Sequence, residues 1–296
     1  MSLLDTVRFI TNHPLNQHQK LRSLARFVKW QIASRLAPGG LVHQWINGSK
    51  FLVRSGETGL TGNIYTGLHE FQEMGFLLHV LREEDLFVDV GANVGSYTIL
   101  ACAAVGARGI AFEPVPETYK RLCYNIRLNH LEQQVNCVNM GVGSEQGVIM
   151  FSSNADTTNH ALKASEQCDS AINVDSTTLD IALKNQSPAI IKIDVEGYET
   201  PVLKGAEEIL CLQSVHSLII ELNGSGKHYG YNELQILAMM SDHGFQPYSY
   251  NPLNRTLVRL QGKNKKSSNT LFIREIAHVE ERLRTAPISS FHGVQL

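Results

Sequence analysis

The stretch FVDVGANVGSYTIL, from Phe87 to Leu100, decides the fold expected for this chain of 296 residues. An apolar run typical of a buried strand ends in a glycine-rich turn, and a helix is predicted from about Ser96. Gly91 and Gly95 permit the tight backbone path of such a turn, because a side chain there would clash or exclude the required φ. In a doubly wound sheet, this first turn between a strand and a helix lies where ligands bind.

The turn departs from the phosphate-binding patterns. The dinucleotide motif GxGxxG needs a second glycine where this chain has Asn93, and no third glycine follows at position 96. A P-loop ending in Gly-Lys-Ser/Thr is also absent from the sequence. Glu113 ends the next predicted strand, 18 residues after Gly95, where a carboxylate can accept hydrogen bonds from both hydroxyls of a ribose. Together these residues favour a nucleoside ligand without a pyrophosphate.

Strand and helix signals alternate around this turn. Five apolar runs, each followed by a helical pattern, predict a parallel sheet with helices on both faces, as in Rossmann-like α/β proteins. Near the end, FQPYSYNPLNRTLVRL and NTLFIR have no helix between them and predict an antiparallel hairpin at the sheet edge. Residues 62–82 have the spacing of a helix, and residues 285–296 are predicted to form a loosely held tail.

The first 50 residues are locally basic, with seven lysine or arginine residues against Asp5 alone. Residues 18–36 predict an amphipathic helix with a cationic outer face, because apolar side chains recur at helical spacing with basic residues mostly between them. Two interpretations stay open: a cap helix with a solvated surface, or a helix that docks on an acidic substrate, a carrier or a membrane surface. The apolar positions are Leu21, Leu24, Ala25, Val28, Ile32 and Leu36.

The composition argues against several classes of protein. A net charge of −2 and an isoelectric point near 6.6 provide no global field that favours nucleic acid or an anionic membrane. The five cysteines are odd in number and widely spaced, which favours buried free thiols over a disulfide framework or a zinc site. No stretch approaches the ~20 apolar residues of a membrane span. We therefore expect a soluble, cytoplasmic protein without a nucleic acid partner or stable membrane insertion, and the oligomeric state stays open.

Three landmarks carry a resemblance to a known family. With FVDVGANVGSYTIL, AFEPVPETYKRL and IIKIDVEGYETPVLKGAEEIL, the sequence resembles the FkbM family of S-adenosylmethionine-dependent methyltransferases, whose known members are largely O-methyltransferases. The resemblance covers about residues 60–225, and KIDVEGYE followed by LKGA is its most specific part. It implies the class I methyltransferase fold, with seven strands in a mostly parallel sheet, and S-adenosylmethionine as the cofactor. The expected organisation is an N-terminal helical extension (1–50), a lid or lead-in segment (51–84), the cofactor-binding methyltransferase domain (85–284) and a C-terminal tail (285–296).

The resemblance also implies where the cofactor lies. The glycine turn and the second strand end map onto family cofactor positions, the segment after the third strand should lie near the adenine, and Asp194 should lie close to the sulfonium methyl. In such folds the segment before the first core strand often covers the cofactor as a lid. The candidate cofactor-binding residues are Tyr65, Glu70, Asp89, Gly91, Asn93, Gly95, Glu113, Asn139, Gly141 and Asp194.

Methyl transfer is an in-line displacement for which the protein positions a nucleophile opposite the sulfonium methyl. A hydroxyl nucleophile usually needs a general base, whereas a carboxylate does not. Asp194 and Glu196 form a strand-end acid pair that contacts cofactor or substrate, or else an acid pair stabilised by a helix dipole. The candidate catalytic residues are Asp194, Glu196, His69 and His160, although a lone histidine is more often structural. The acids and histidines lack the spacing of a zinc or EF-hand site, so we expect no metal.

These observations favour an S-adenosylmethionine-dependent O-methyltransferase that acts on a hydroxyl of a sugar or natural product. Three alternatives stay open: a methyltransferase that forms methyl esters on a peptide carboxylate, an NAD-dependent oxidoreductase, and a non-catalytic cofactor-binding interaction module. Asn93 in the turn and the lack of a hydride-transfer constellation distinguish the favoured function from the oxidoreductase.

Overall fold

The computed structural model describes residues 2–153, 159–163, 166 and 170–296. The α-helices within them are α1 (Leu3–Asn12), α2 (Lys20–Leu36), α3 (Thr58–Thr66), α4 (Phe71–Val80), α5 (Ser96–Ile99), α6 (Pro116–Leu128), α7 (Leu179–Ala182), α8 (Glu199–Lys204), α9 (Glu207–Cys211), α10 (Glu233–Asp242) and α11 (Ile276–Arg284). The strands are β1 (Leu41–Gln44), β2 (Lys50–Val53), β3 (Leu86–Val90), β4 (Arg108–Phe112), β5 (Val135–Val138), β6 (Gly141–Val142), β7 (Gly147–Ser152), β8 (Ala171–Thr177), β9 (Ile190–Ile193), β10 (Ser217–Glu221), β11 (Gln246–Asn251), β12 (Thr256–Arg259), β13 (Asn269–Ile273), β14 (Ser290–Phe291) and β15 (Val294–Gln295).

The central sheet has the strand order β12-β11-β13-β10-β9-β3-β4-β5. Five adjacent strands of this sheet run parallel: β10, β9, β3, β4 and β5. Strand β13 lies antiparallel between β10 and β11. This arrangement confirms the predicted Rossmann-like sheet with an antiparallel C-terminal hairpin. The expected count of seven strands is wrong, because residues 256–259 return alongside β11 as an eighth, edge strand.

Two apolar cores cover the two faces of this sheet. Every residue of β3 and β9 is buried, which is typical of parallel strands covered on both sides. Along β3, Phe87 belongs to the core that includes α4 and α6, whereas Val88 belongs to the core that includes α8 and α10. Alternate side chains of a strand point to opposite faces, so this central strand joins the two layers and fixes the turn that follows it.

Three segments differ from the sequence-based expectations. The helical pattern of residues 62–82 is divided into α3 and α4, because Gly67 adopts φ 90° and ends the first helix. A second sheet, with the order β6-β8-β7, was not predicted. The expectation of a loose C-terminal tail is wrong: β14 and β15 pair, and Phe291 and Leu296 are buried in the core.

The N-terminal helices pack on α3 through an apolar cluster that includes Ile10, Trp30 and Leu60. In α2 the buried side chains are Ser23, Trp30 and Ser34. The expectation that the apolar stripe faces inward is therefore wrong at five of its six positions, Ala25 included, because the face with the tryptophan and the small serines packs against the protein instead. The exposed fractions are 85% for Leu21, 53% for Val28, 58% for Ile32 and 80% for Leu36.

The cysteines agree only partly with the expectation of buried thiols. Cys102 is buried, Cys123 and Cys137 are half-buried, and Cys211 is exposed, so the expectation is wrong for Cys211. Cys168 lies outside the described residues. Within the described part of the chain, no helix combines the length and apolar character needed to cross a bilayer.

Candidate active site

A cavity of about 280 Å³ opens at the carboxyl ends of the central strands β3, β4, β9 and β10. Its wall comes from the glycine turn after β3, the ends of β4 and β9, the start of α4 and the segment around β6. Ligands of doubly wound sheets bind at this edge, so the cavity lies where the sequence predicts a site. Its lining residues include His69, Glu70, Asp89, Gly91, Asn93, Glu113, Lys192, Asp194, Glu196 and Glu221.

The glycine turn brings the end of β3 close to the end of β9. Gly91 has φ 81°, and a Cβ at this position would lie 1.8 Å from the backbone oxygen of Asp194. Gly95 has φ 93° and precedes α5, although it is not part of the cavity wall. Asn93 adopts φ 51°, a region that asparagine tolerates better than most residues. The turn thus requires glycine at 91 for both its dihedral angle and its close approach.

Glu113 directly follows β4, and its side chain is hydrogen-bonded to the backbone of the glycine turn. Its carboxylate accepts hydrogen bonds from the N–H groups of Asn93 at 3.0 Å and Val115 at 2.9 Å. Burial raises the pKa of Glu113 to about 7. The side-chain amide of Asn139 donates to the backbone oxygens of Glu113 and Pro114, so Asn139 fixes the strand end from behind rather than lining the cavity.

A buried lysine, which sequence reasoning missed, lies at the centre of the site. Lys192 is 3% exposed, and its Nζ donates to Asp194 Oδ2 at 2.7 Å. Burial lowers its pKa, but the carboxylates of Asp194, Asp89 and Glu70 outweigh burial and raise the pKa overall. The Nζ also lies 4.7 Å from the ring centroid of Tyr97. The sequence signal was a lysine within the apolar strand run IIKI.

Asp89 is almost fully buried beside this lysine. Its Oδ2 accepts a hydrogen bond from the Thr98 hydroxyl at 2.6 Å, whereas Oδ1 is buried without a hydrogen-bond partner among the described groups. Burial raises the pKa of Asp89 above its usual value. An unsatisfied buried oxygen is energetically unfavourable, and a donor from a bound ligand would relieve it.

Three carboxylates converge at the ends of β9 and β10. Asp194, Glu196 and Glu221 each place an oxygen within 4.8 Å of the others. Burial and the neighbouring Asp194 raise the pKa of Glu196 to about 7 and that of Glu221 to about 10. Glu196 also adopts φ 51°, a conformation in which non-glycine residues store strain, often at functional sites. Glu221 was missed, although an acid that ends the apolar run SLII was a usable signal.

Glu199, the first residue of α8, is hydrogen-bonded to the loop that precedes this helix. Its Oε1 accepts from the N–H groups of Gly197 at 3.0 Å and Val195 at 3.4 Å. The side chain thus holds the loop that presents Glu196, and Glu199 is not part of the cavity wall.

The proposed lid residues separate into two groups. His69 lines the cavity, burial lowers its pKa, and its Nδ1 is buried without a described partner. Glu70 also lines the cavity and accepts from the Tyr97 hydroxyl at 2.6 Å and the Asn269 side-chain amide at 2.7 Å. Tyr65 lies outside the cavity wall, where its hydroxyl accepts from the side chain of Gln31 on α2.

His160 is held beside the cavity by hydrogen bonds in a cluster with Glu166 and His228. Its Nε2 lies 3.2 Å from one carboxylate oxygen of Glu166, and His228 Nε2 lies 3.0 Å from the other. These hydrogen bonds lower the pKa of Glu166 to about 2. The preceding Asn159 reaches the cavity wall, whereas residues 154–158 of the same loop lie outside the described residues. Both this cluster and the three converging carboxylates have spacings that an ion could occupy, so the absence of a metal stays a prediction.

Most of the ionisable residues in the cavity wall are acidic. Among its described residues Lys192 is the single lysine and there is no arginine. The raised pKa values of Asp89, Glu113, Glu196 and Glu221 leave part of this set protonated at neutral pH, but the acids still outnumber the lysine. Such a wall favours a cationic ligand over phosphate groups. The acids are Glu57, Glu70, Asp89, Glu113, Asp194, Glu196 and Glu221.

Comparison with known proteins gives a family match across this site. A model of the methyltransferase FkbM domain matches residues 89–247. The hexuronic acid methyltransferase AglP of Haloferax volcanii is 30% identical over 167 residues, which are 56% of this chain and 65% of that protein. The chain therefore spans slightly less than two thirds of the length of this curated relative.

Two solved structures are also similar to part of this chain. An rRNA methylase from Streptococcus thermophilus is 16% identical, with a TM-score of 0.40 over 68% of this chain and 91% of that chain. TrmK of M. capricolum, in complex with S-adenosylhomocysteine, is 11% identical, with a TM-score of 0.38 over 68% of this chain and 66% of that chain.

Proposed function

This chain belongs to the FkbM methyltransferase family, and on that premise we propose that it is an S-adenosylmethionine-dependent O-methyltransferase acting on a sugar hydroxyl. The acid-rich wall of the cavity carries this proposal. A sulfonium and an ammonium group gain from negative surroundings, whereas the pyrophosphate of NAD is repelled by them. The charge of the wall and the glycine pattern therefore both disfavour an NAD-dependent oxidoreductase.

The residues present fit S-adenosylmethionine in three ways. The two carboxylate oxygens of Glu113 retain lone pairs for a ribose diol, although each already accepts one backbone N–H. Gly91 is part of the cavity wall and presents bare backbone there, and the space of its missing Cβ is taken by the backbone oxygen of Asp194. The unsatisfied Oδ1 of Asp89 offers an acceptor for a ligand donor such as an ammonium group.

The reacting end of the site lies at Asp194, Glu196 and Glu221. S-adenosylmethionine, when bound, supplies an activated methyl group for in-line displacement. Lys192 holds Asp194 by its salt bridge and leaves Glu196 as the acid whose pKa, about 7, suits proton transfer at neutral pH. We assign Glu196 as the general base that takes the proton of the acceptor hydroxyl. Positioning of that hydroxyl by the surrounding acids supplies the rest of the acceleration.

A relative and the charge of the site support a hydroxyl acceptor on a sugar. AglP is named for a hexuronic acid, a sugar that carries both hydroxyls and a carboxylate. In its deprotonated form, which acts as the base, Glu196 would repel a carboxylate acceptor more than a neutral hydroxyl, which supports the hydroxyl. Sugar or natural-product tailoring is the corresponding context.

We expect S-adenosylhomocysteine to raise the melting temperature and NAD to leave it unchanged. A ligand present at 100 times its Kd stabilises the native state by ~2.7 kcal/mol, which corresponds to several degrees for a chain of this size. Differential scanning calorimetry with each compound measures the effect. A response to NAD without a response to S-adenosylhomocysteine would reject the proposed cofactor.

The substitution Glu113→Gln should weaken S-adenosylhomocysteine binding by about 1–3 kcal/mol, or roughly 5–150-fold, because the amide offers one acceptor oxygen instead of two. Isothermal titration calorimetry measures the loss. Glu117→Gln is the matched control, since Glu117 is an exposed acid in the first turn of α6. Equal affinities of the two variants would place the ribose contact on another residue.

A further inference from the structure

The exposed face of α2 combines an apolar stripe with basic edges. Leu21, Ala25, Val28, Ile32 and Leu36 follow one another at intervals of three or four residues, so they lie along one side of the helix. All five are exposed, in contrast to Ser23, Trp30 and Ser34 on the opposite side. This surface, which we call the α2 face, is apolar along most of a helix of 17 residues. Contiguous exposed apolar surface of this kind marks an interaction site.

The charge of the helix identifies the kind of surface that covers it. α2 contains five basic residues and no acid. Lys20, Arg22, Lys29 and Arg35 are exposed, whereas Arg26 turns inward and donates to the side-chain oxygen of Asn16. Long basic side chains beside an apolar stripe can reach lipid headgroups while the stripe enters the acyl boundary.

We infer that the α2 face docks the protein on an anionic lipid bilayer surface, with the helix lying in the plane of the interface. Apolar burial and attraction to anionic headgroups act together at such a helix, and each basic residue near the surface contributes to binding. The attachment is peripheral, in keeping with the absence of a helix among the described residues that could cross a bilayer.

Charge and apolar character disfavour two other occupants, a second copy of the chain and a nucleic acid. Symmetric pairing of two α2 faces would bring eight exposed basic side chains of the two helices together without an acid from either helix to neutralise them. A nucleic acid backbone would meet the basic edges but leave the apolar stripe without a partner. A bilayer with anionic headgroups satisfies both parts of the face.

The helix α2 contacts α3, and α3 in turn contributes to the cavity wall. Gln31 on α2 donates from its side-chain amide to the hydroxyl of Tyr65 on α3 at 3.1 Å. Gly59 and Leu60, also on α3, line the cavity wall. One helix therefore separates the proposed lipid-contacting surface from the site.

The test is sedimentation of the full chain with vesicles, and it reads lipid binding independently of methyl transfer. Vesicles of phosphatidylcholine and phosphatidylglycerol in equal parts should bind the protein, and vesicles of phosphatidylcholine alone should bind it far less. High salt should reduce binding, because screening weakens the attraction to the headgroups. Absence of binding to the mixed vesicles, or equal binding to both kinds, overturns the inference.

Two double variants address the two parts of the face. Val28→Ser with Ile32→Ser should lower the partition coefficient at least about tenfold, and Arg22→Glu with Lys29→Glu should do the same. The matched controls are Leu234→Ser with Val258→Ser and Lys265→Glu with Lys266→Glu, which alter exposed residues elsewhere. Since all of these side chains are exposed, unchanged melting temperatures should show that the variants are folded.

Equal losses in the variants and their controls would overturn the inference. So would self-association that depends on Val28 and Ile32 and persists without vesicles, because the α2 face would then be an interface between copies of the chain. Sedimentation velocity with and without the Val28→Ser and Ile32→Ser changes measures that outcome.

Discussion

Replacement of Glu196 by glutamine should lower kcat by roughly 10²–10⁴-fold, the usual range for loss of a general base. Glutamine keeps the shape of the side chain but cannot take a proton from an acceptor hydroxyl. The change leaves Glu113 and Gly91, the proposed contacts to the cofactor, in place, so affinity for S-adenosylhomocysteine should stay nearly constant. Single-turnover kinetics together with calorimetric titration separate the two quantities.

The pH dependence gives an independent readout of the same group. A base acts only when it is deprotonated, and burial with the neighbouring Asp194 raises the pKa of Glu196 to about 7. The value of kcat/KM should therefore rise with pH through about 7 and level off above it. In the Glu196→Gln variant the residual rate should lose this rise. Glu208→Gln, on the exposed surface of α9, should leave both rate and profile unchanged.

His69, His160 and Asp194 are the remaining candidate bases, and each is tested by its own substitution. A loss confined to His69→Gln would move the base to the lid segment, where burial lowers the pKa of the imidazole and keeps it neutral. If all four variants lose less than about tenfold and the rate is flat between about pH 6 and pH 9, no base is required. A carboxylate acceptor, already anionic, would then replace the hydroxyl in the proposed reaction.

The substitution Gly91→Ala should cost about 2–5 kcal/mol of stability and abolish measurable cofactor binding. The new Cβ would lie 1.8 Å from the backbone oxygen of Asp194. Neither strand can easily move away, because the Asp194 N–H donates to the Val90 oxygen at 3.0 Å and both strands are central in the sheet. Urea denaturation measures the stability, and titration with S-adenosylhomocysteine measures binding.

Gly48→Ala separates the collision from the dihedral strain. Gly48 has the same φ of 81° as Gly91, but no atom lies within 4 Å of a Cβ placed there. Its substitution should cost only the left-handed penalty of about 1–2 kcal/mol and leave cofactor binding intact. Equal costs at the two positions would show that the close approach to Asp194 contributes nothing.

Local sequence patterns determined the framework of this protein. The apolar runs, the glycine turn and the motif KIDVEGYE were enough to predict a doubly wound sheet, its antiparallel edge and membership of the FkbM family. These features depend on residues close together in the chain: the strand period, the positive φ of Gly91 and the helix start at Ser96. The cavity accordingly lies at the strand ends where it was predicted.

Contacts between distant segments decided the composition of the site. Lys192 and Glu221 reach the same cavity because β9 and β10 are neighbours in the sheet, a pairing that no local spacing specifies. Distant contacts also decided the positions of His160 and Tyr65, which do not line the cavity. His160 lies against Glu166 and His228, and Tyr65 packs under α2. Acids and histidines of the sequence could be proposed for the site, but only the pairing of the strands and loops selects among them.

The orientation of α2 is the clearest case of a property that only the tertiary structure decided. Both sides of the helix carry apolar residues, so helical spacing alone does not tell which side is buried. Trp30 provides a large apolar surface, and Ser23 and Ser34 allow close packing, so this side fits against the rest of the protein. The leucine, valine and isoleucine side chains of the other side are left exposed, because burial depends on a complementary surface that distant parts of the chain supply.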